Sequence, residues 1–166
     1  MALRIVFSHG QESGPWGTKI KIMASLASSL GCDVTSIDYQ GIKEPQDRIT
    51  KLIKESSSIT EPICLVGSSM GGFVATAAAY DVKAVGLFVL APAYFMQGFD
   101  HSLIKPTDIP MEIVHGWDDK IVPVENSIRY AQTQQAKLHI LDGDHGLTEN
   151  IQEINGYFKM FVGQFL

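Results

Sequence analysis

Short apolar segments alternate with segments of helical periodicity along the whole chain. The apolar segments are rich in β-branched residues and are typical of buried strands. There are six, in chain order LRIVFS (3–8), CDVTSIDY (32–39), ICLVGS (63–68), KAVGLFVLAPA (83–93), EIVHGW (112–117) and KLHILDG (137–143). After every strand but the fourth, apolar residues recur at helical spacing. This alternation predicts an α/β protein with a mostly parallel six-stranded sheet and helices on both faces.

The strand at 83–93 is the most uniformly apolar, which predicts a central place in the sheet. An aromatic-rich segment follows it, and we interpret residues 92–110 as a short lid-like insertion in a single domain spanning residues 1–166. Ligands bind outside the carboxyl ends of the strands in open parallel sheets. The residues that follow each strand are therefore the first candidates for a functional site.

Composition narrows the classes of partner. The formal net charge of the 166 residues is −5, which argues against nucleic acid as a main partner because nucleic acid favours a basic surface. The sequence contains no apolar run long enough to predict a membrane span. The first residues, MALRIVFSHG, are interpreted as a strand and not as a signal peptide. Cys32 and Cys64 are predicted to be reduced core residues, which together with these features predicts a cytoplasmic protein.

The junction of the third strand and its helix has the sequence GSSMGG (67–72). A helix N-cap alone requires one serine and does not require glycine on both sides. The pattern G-x-S-x-G is instead typical of a strained strand-to-helix turn that exposes a nucleophilic serine. Ser69 is the centre of this pattern, with Gly67 and Gly71 where close packing of strand and helix excludes a side chain.

A carboxylate and an imidazole are predicted at the same rim of the sheet. Asp118 and Asp119 follow the fifth strand, and His145 follows the sixth. A serine hydroxyl becomes a good nucleophile when a base removes its proton, and a carboxylate keeps the imidazole in the correct orientation. The pattern predicts a catalytic serine, histidine and aspartate, with either aspartate as the acid.

Four local motifs resemble the α/β-hydrolase superfamily: HGQESG (9–14), GSSMGG (67–72), HGWDDKIVP (115–123) and DGDHG (142–146). The resemblance covers nearly all of the chain and implies a minimal α/β-hydrolase fold. It also implies that Asp119 is the acid and His145 the base. The same likeness implies an oxyanion hole formed by the backbone N–H groups of Gln11 and Met70.

Departures from larger family members point to the small, nearly lidless bacterial-type esterase and thioesterase branch. The sequence begins directly at the HG strand, and the insertion is short. The HGQ motif, in place of the HGGG of many lipases, suits a modest acyl group. Aromatic and sulfur-containing residues near the rim are candidate walls of a substrate pocket, namely Trp16, Tyr94, Phe95, Met96, Phe99 and Trp117.

These features predict a serine hydrolase that cleaves a small carboxylic ester or thioester through an acyl-enzyme, as a monomer or weak homodimer. Two alternatives remain open, a small-molecule sensor with slow hydrolysis and a peptidase. No cofactor is predicted, because the sequence lacks G-x-G-x-x-G and G-x-x-x-x-G-K-[ST] patterns. No metal is predicted either, since DGD (142–144) lacks the spaced oxygens of a calcium loop.

Overall fold

The computed structural model describes residues 2–166. Its six strands form one sheet in the order β2-β1-β3-β4-β5-β6, and every neighbouring pair is parallel. The predicted sheet is confirmed, with β3 and the very apolar β4 at its centre. The strands are β1 (Arg4–Ser8), β2 (Asp33–Ile37), β3 (Ile63–Ser68), β4 (Gly86–Leu90), β5 (Met111–Gly116) and β6 (Lys137–Leu141).

Five α-helices connect and cover the strands, and two of their ends show clear local causes. Pro45 occupies the first turn of the second helix, where its missing N–H costs nothing. Gly31 follows the first helix with φ of +87° and allows the chain to turn back. None of the helices in the described residues has the length and hydrophobicity of a membrane span. The helices are α1 (Thr18–Ser29), α2 (Pro45–Ser56), α3 (Met70–Val82), α4 (Val124–Gln134) and α5 (Ile151–Gly163).

The helices form a layer on each face of the sheet because neighbouring strand residues point in opposite directions. In β1, Ile5 and Phe7 face α1 and α5, whereas Val6 faces α2, α3 and α4. Cys32 and Cys64 are buried free thiols in the α1–α5 layer, as predicted.

The sheet order places β1 and β3 side by side, although the chain leaves them for opposite faces. Ser8 at the end of β1 lies in register with Gly67 near the end of β3. This is the switch point at which ligands bind in doubly wound sheets. The loop after β1 and the turn after β3 therefore meet at the carboxyl edge of the sheet.

The segment between β4 and β5 contains only a short 3-10 helix, His101–Leu103. Its aromatic residues pack on the α2–α4 layer: the Phe99 ring lies 5.2 Å from that of Phe73, and the Tyr94 ring stacks 4.0 Å from that of Tyr130. This packing directs the segment away from the face covered by α1.

Candidate active site

Ser69 lies at the junction of β3 and α3 in a conformation that non-glycine residues rarely adopt, with φ of 54° and ψ of −120°. The flanking glycines are required by close backbone approach. A Cβ on Gly67 would lie 2.3 Å from the Gly71 carbonyl oxygen, and one on Gly71 would lie 2.0 Å from the Ser8 carbonyl oxygen. Such packing holds the strained turn and presents the serine at the edge of the sheet.

The structure brings Ser69, His145 and Asp119 into a continuous chain of hydrogen bonds. His145 Nε2 lies 2.9 Å from Ser69 Oγ, and His145 Nδ1 lies 2.7 Å from Asp119 Oδ2. Because an ionised carboxylate only accepts hydrogen bonds, the proton sits on Nδ1 of the imidazole. Nε2 is then the acceptor for the serine hydroxyl, the arrangement a general base requires.

The Asp119 carboxylate is held by donors from its own turn. Oδ1 accepts from the backbone N–H groups of Ile121 and Val122, both at 2.8 Å. Oδ2 lies 3.1 Å from Nε2 of His115, which also lies 2.9 Å from the Val122 carbonyl oxygen. Burial lowers the pKa of His115 and favours its neutral form. The carboxylate is therefore buried, fully hydrogen-bonded and aimed at His145.

Asp118, the rival acid, points elsewhere. Its side chain is 69% exposed and lies 2.9 Å from Lys120 Nζ, whereas the Asp119 side chain is fully buried. Of the two aspartates left open by residue pattern alone, the structure brings only Asp119 to the imidazole.

The loop after β1, residues 9–11, lies against Ser69. A Cβ placed on Gly10 would lie 3.7 Å from the Ser69 Cβ. His9 is buried, and its Nε2 accepts the Tyr39 backbone N–H at 2.8 Å. Its Nδ1 therefore carries the proton and donates to the Gly10 carbonyl oxygen at 2.8 Å. Burial lowers the pKa of His9, consistent with this neutral form.

Arg48 of α2 also contacts this loop and is a residue that the sequence pattern did not single out. Its guanidinium reaches the carbonyl oxygens of His9, Gly10 and Gln11. The pattern did contain a clue, since Arg48 is four residues before the buried Leu52 and so lies on the inward face of α2.

A cavity of about 540 Å³ opens beside Ser69 on the α1 side of the sheet. Its apolar walls are Phe7, Ile20, Met23, Val66 and Leu90.

Lys19 is the cationic residue of this cavity, with Nζ 3.5 Å from Ser68 Oγ. Burial lowers its pKa. Sequence reasoning missed Lys19, because a lysine in the first turn of a helix ordinarily points to solvent.

None of the six residues predicted as pocket walls lines this cavity. Trp16 and Trp117 are exposed, at 46% and 62%, whereas Tyr94 is fully buried and bonded to Thr76 through its hydroxyl. Phe95 lines a separate cavity of about 350 Å³. The remaining two, Met96 and Phe99, pack partly buried against the α2–α4 layer.

The physical reason is the direction of the chain after β4. The 91–110 segment turns toward α3 and α4, whereas the cavity beside Ser69 lies against α1, on the opposite face of the sheet. The aromatic residues of this segment and the cavity beside Ser69 therefore lie on opposite faces of the sheet.

A family model described as an alpha/beta hydrolase domain matches residues 2–155. The chain belongs to the alpha/beta hydrolase family. Membership of this family indicates that the protein is a hydrolase. The predicted resemblance to small members of the family is confirmed by the structures on which the fold superposes. The comparison with curated proteins gave no match.

Several solved structures superpose on nearly the full chain. A protein of the alpha/beta hydrolase superfamily from Xanthomonas campestris pv. campestris is 25% identical, with a TM-score of 0.90 and 99% of each chain covered. A Xanthomonas campestris α/β serine hydrolase without a lid is 18% identical, with a TM-score of 0.84 and coverage of 99% of this chain and 82% of that one. Est1E from Butyrivibrio proteoclasticus is 17% identical, with a TM-score of 0.80 and coverage of 98% and 87%.

The side chains at this edge have the composition of a nucleophilic site. The described residues contain no group of three or more His, Cys, Asp or Glu side chains placed to hold a metal ion. What the arrangement offers is a serine hydroxyl, an imidazole oriented to accept its proton, and a buried carboxylate that stabilises the imidazolium.

Proposed function

We propose that this alpha/beta hydrolase is a serine hydrolase that cleaves small carboxylic esters or thioesters through an acyl-enzyme. The observation that carries the proposal is the hydrogen-bonded chain from Ser69 Oγ through His145 to Asp119, with distances of 2.9 and 2.7 Å. Its two steps use the same three side chains, first to form the acyl-enzyme and then to hydrolyse it.

In the first step, His145 Nε2 takes the hydroxyl proton of Ser69 as Oγ bonds to the carbonyl carbon of the substrate. The carbonyl π electrons move to oxygen and give a tetrahedral oxyanion. When the carbonyl re-forms, the bond to the leaving alkoxide or thiolate breaks, and His145 protonates that group. Water then repeats the sequence on the acyl-enzyme and releases a carboxylic acid.

The oxyanion needs preorganised donors near Ser69. The N–H of Met70 belongs to the first turn of α3, where N–H groups have no partner within the helix and the helix dipole favours negative charge. The N–H of Gln11 belongs to the loop that lies against Ser69. We propose these two groups as the oxyanion hole, in which a single donor is commonly worth about 3 kcal/mol.

The cavity beside Ser69 suits a modest acyl group. At about 540 Å³ with mainly apolar walls, it has the volume and lining of a small-molecule site. A sensor would need an exposed apolar surface for a partner, and Phe95 and Phe99 are the candidates for it in the segment after β4. Both rings are partly buried, against Arg129 and Phe73 respectively, which favours the hydrolase over the sensor.

The decisive experiment compares wild type and Ser69→Ala on p-nitrophenyl esters of increasing acyl length. We expect turnover that is fastest for short chains, and a kcat in Ser69→Ala lower by roughly 10⁴–10⁶-fold with unchanged folding. Ser25→Ala, on the exposed face of α1, is the matched control and should retain wild-type rates. Turnover that survives in Ser69→Ala would refute the proposal, and inactivity on these esters would move the test to thioesters.

The two buried free thiols also support a reducing compartment. We propose a cytoplasmic location on this basis.

A further inference from the structure

Arg48 is almost completely buried, at 2% exposure, and directs its donors to backbone carbonyl oxygens. Nε donates to the Ile42 carbonyl oxygen at 2.8 Å. One terminal nitrogen lies 3.1 Å from the Gly10 oxygen and 3.4 Å from the His9 oxygen, and the other lies 3.5 Å from the Gln11 oxygen. Three consecutive carbonyl groups of the loop after β1 thus converge on one guanidinium.

Burying the positive charge of Arg48 costs free energy unless the charge makes favourable contacts. None of the salt bridges among residues 2–166 involves Arg48, and the Tyr39 ring lies 5.1 Å from its guanidinium carbon. A buried ionic group is often no more stabilising than an apolar side chain of the same volume. The cation is therefore poorly explained by overall stability and better explained by the loop that it contacts.

The geometry of the peptide group connects these contacts to the reaction. The Gly10 carbonyl and the Gln11 N–H belong to one planar, trans peptide unit, so they point in opposite directions. Arg48 and His9 Nδ1 both donate to the Gly10 oxygen and hold it on the α2 side. The Gln11 N–H then faces away from α2. The neighbouring Gly10 lies against Ser69, since a Cβ built on Gly10 would lie 3.7 Å from the Ser69 Cβ.

We propose that Arg48 is a positioning residue that locks the Gly10–Gln11 peptide with the Gln11 N–H directed at the substrate oxyanion. This inference rests on the proposed serine hydrolase function. Without Arg48, only His9 Nδ1 at 2.8 Å and the longer contact from the exposed Ser13 Oγ at 3.4 Å would hold the Gly10 carbonyl. A rotated peptide would present an oxygen, not an N–H, to the developing negative charge and would oppose the reaction.

The test compares wild type, Arg48→Met and Arg48→Lys by three measurements. The first is kcat and KM on the best p-nitrophenyl ester. The second is inhibition by a trifluoromethyl ketone with the same acyl chain, in which Ser69 Oγ adds to the carbonyl carbon, the hydroxyl proton passes to His145, and the ketone oxygen becomes an oxyanion. The third is inhibition by the matching trifluoromethyl alcohol, which cannot be attacked.

For Arg48→Met, we expect kcat to fall by about 10²-fold and the inhibition constant of the ketone to rise by a similar factor, as for loss of one oxyanion donor. KM and the inhibition constant of the alcohol should change less than about twofold, because neither involves an oxyanion. The kcat and the ketone inhibition constant of Arg48→Lys should lie between those of wild type and Arg48→Met. An ammonium group lacks the planar fork of donors with which arginine reaches all three carbonyl groups. Arg129→Met, which removes an arginine packed on the Phe95 ring, is the matched control and should behave as wild type.

Three results would overturn the inference. A folded Arg48→Met variant with wild-type kcat and ketone affinity would show that the loop keeps its conformation without Arg48. An equal loss of affinity for ketone, alcohol and ester would show that Arg48 maintains the shape of the cavity and does not orient the peptide. If Arg48→Met does not fold, Arg48→Lys decides by the same criteria. Absence of Ser69-dependent turnover in the wild type would overturn the proposed function together with this inference, whereas Ser69-dependent turnover that is insensitive to Arg48 would overturn the inference alone.

Discussion

Two short segments flank Ser69, and they are organised in opposite ways. In the acid turn, residues 116–122, backbone N–H groups converge on the side chain of Asp119. In the loop after β1, residues 9–11, side chains of His9 and Arg48 converge on backbone carbonyl oxygens. The acid turn thus carries its own donors, whereas the loop depends on α2.

This difference separates two kinds of preorganisation. A self-contained turn places a charged side chain through contacts between near neighbours in sequence, so its geometry follows from the local motif. A loop that must present N–H groups has to hold its carbonyl groups on the other side, and it needs donors from elsewhere in the fold to do so. Mutations in the two regions should therefore impair activity in different ways.

The largest effect is expected at the acid turn. Asp119→Asn should lower kcat by about 10⁴-fold, because the amide favours the wrong tautomer of His145 and cannot stabilise the imidazolium. Folding should be retained, since an amide oxygen can still accept from the two backbone N–H groups. Steady-state kinetics with a short ester measures the effect.

The adjacent residue provides the control. Asp118→Asn should leave kcat within about twofold of wild type, because the Asp118 side chain is 69% exposed and forms its ion pair with the exposed Lys120. A comparable loss of activity in Asp118→Asn and Asp119→Asn would contradict the assignment of the acid.

Close backbone packing should make substitution of glycine strongly destabilising on both sides of Ser69. A Cβ on Gly71 would lie 2.0 Å from the Ser8 carbonyl oxygen, and one on Gly116 would lie 2.2 Å from the Gly143 carbonyl oxygen. We expect Gly71→Ala and Gly116→Ala each to lower the free energy of unfolding by about 4 kcal/mol or more, since backbone must move in both cases. Urea unfolding monitored by tryptophan fluorescence measures it.

Gly156→Ala is the matched control for these substitutions, because nothing lies within 4 Å of its Cβ position in the middle of α5. It should raise stability by about 0.5–1 kcal/mol, the usual gain for alanine in a helix interior. Similar losses in all three variants would show that glycine content, and not close approach, accounts for the effect.

The last prediction concerns a pH dependence of stability that both regions share. Burial lowers the pKa of His9 and of His115 below the ordinary value of 6.5. The unfolded chain therefore binds protons at a higher pH than the folded protein does. The stability that these neutral imidazoles contribute is complete above about pH 6.5 and is lost as the pH falls from there toward their lowered values.

Urea titrations between about pH 8 and pH 5 should show a constant free energy of unfolding followed by a decline, with a slope of up to about 1.4 kcal/mol per pH unit for each histidine. His9→Gln should reduce this slope, since it removes one of the two groups. A free energy of unfolding that rises as the pH falls below about 6.5 would reverse the assigned sign.

Most of the fold was predictable from sequence because it depends on local patterns. Each strand is a short β-branched run and each helix has an apolar stripe, so the sheet and its two layers follow from spacing alone. The uniformly apolar composition of β4 correctly placed it at the centre. Helix boundaries were also visible where Pro45 and Gly31 mark them.

The candidate site was predictable where local motifs mark its residues. The glycines around Ser69 and the spacing of HGWDDKIVP indicated the strained turn and the acid turn. The role of Arg48 and the cavity wall near Lys19 depend on how α1 and α2 dock on the sheet, which no local motif encodes. The aromatic residues after β4 lie on the face opposite the cavity beside Ser69, and this too could not be predicted, since composition does not reveal which face a segment covers.

The order of these elements along the chain has a consequence for biosynthesis. The loop that lies against Ser69 and the arginine that holds it both belong to the first half of the sequence, together with β1, β2 and α2. During synthesis this half leaves the ribosome before β5 and β6 do. His145 follows the last strand, so a nascent chain presents the nucleophilic serine long before it possesses the base. We expect the growing polypeptide to have no hydrolase activity until its final strand has joined the sheet.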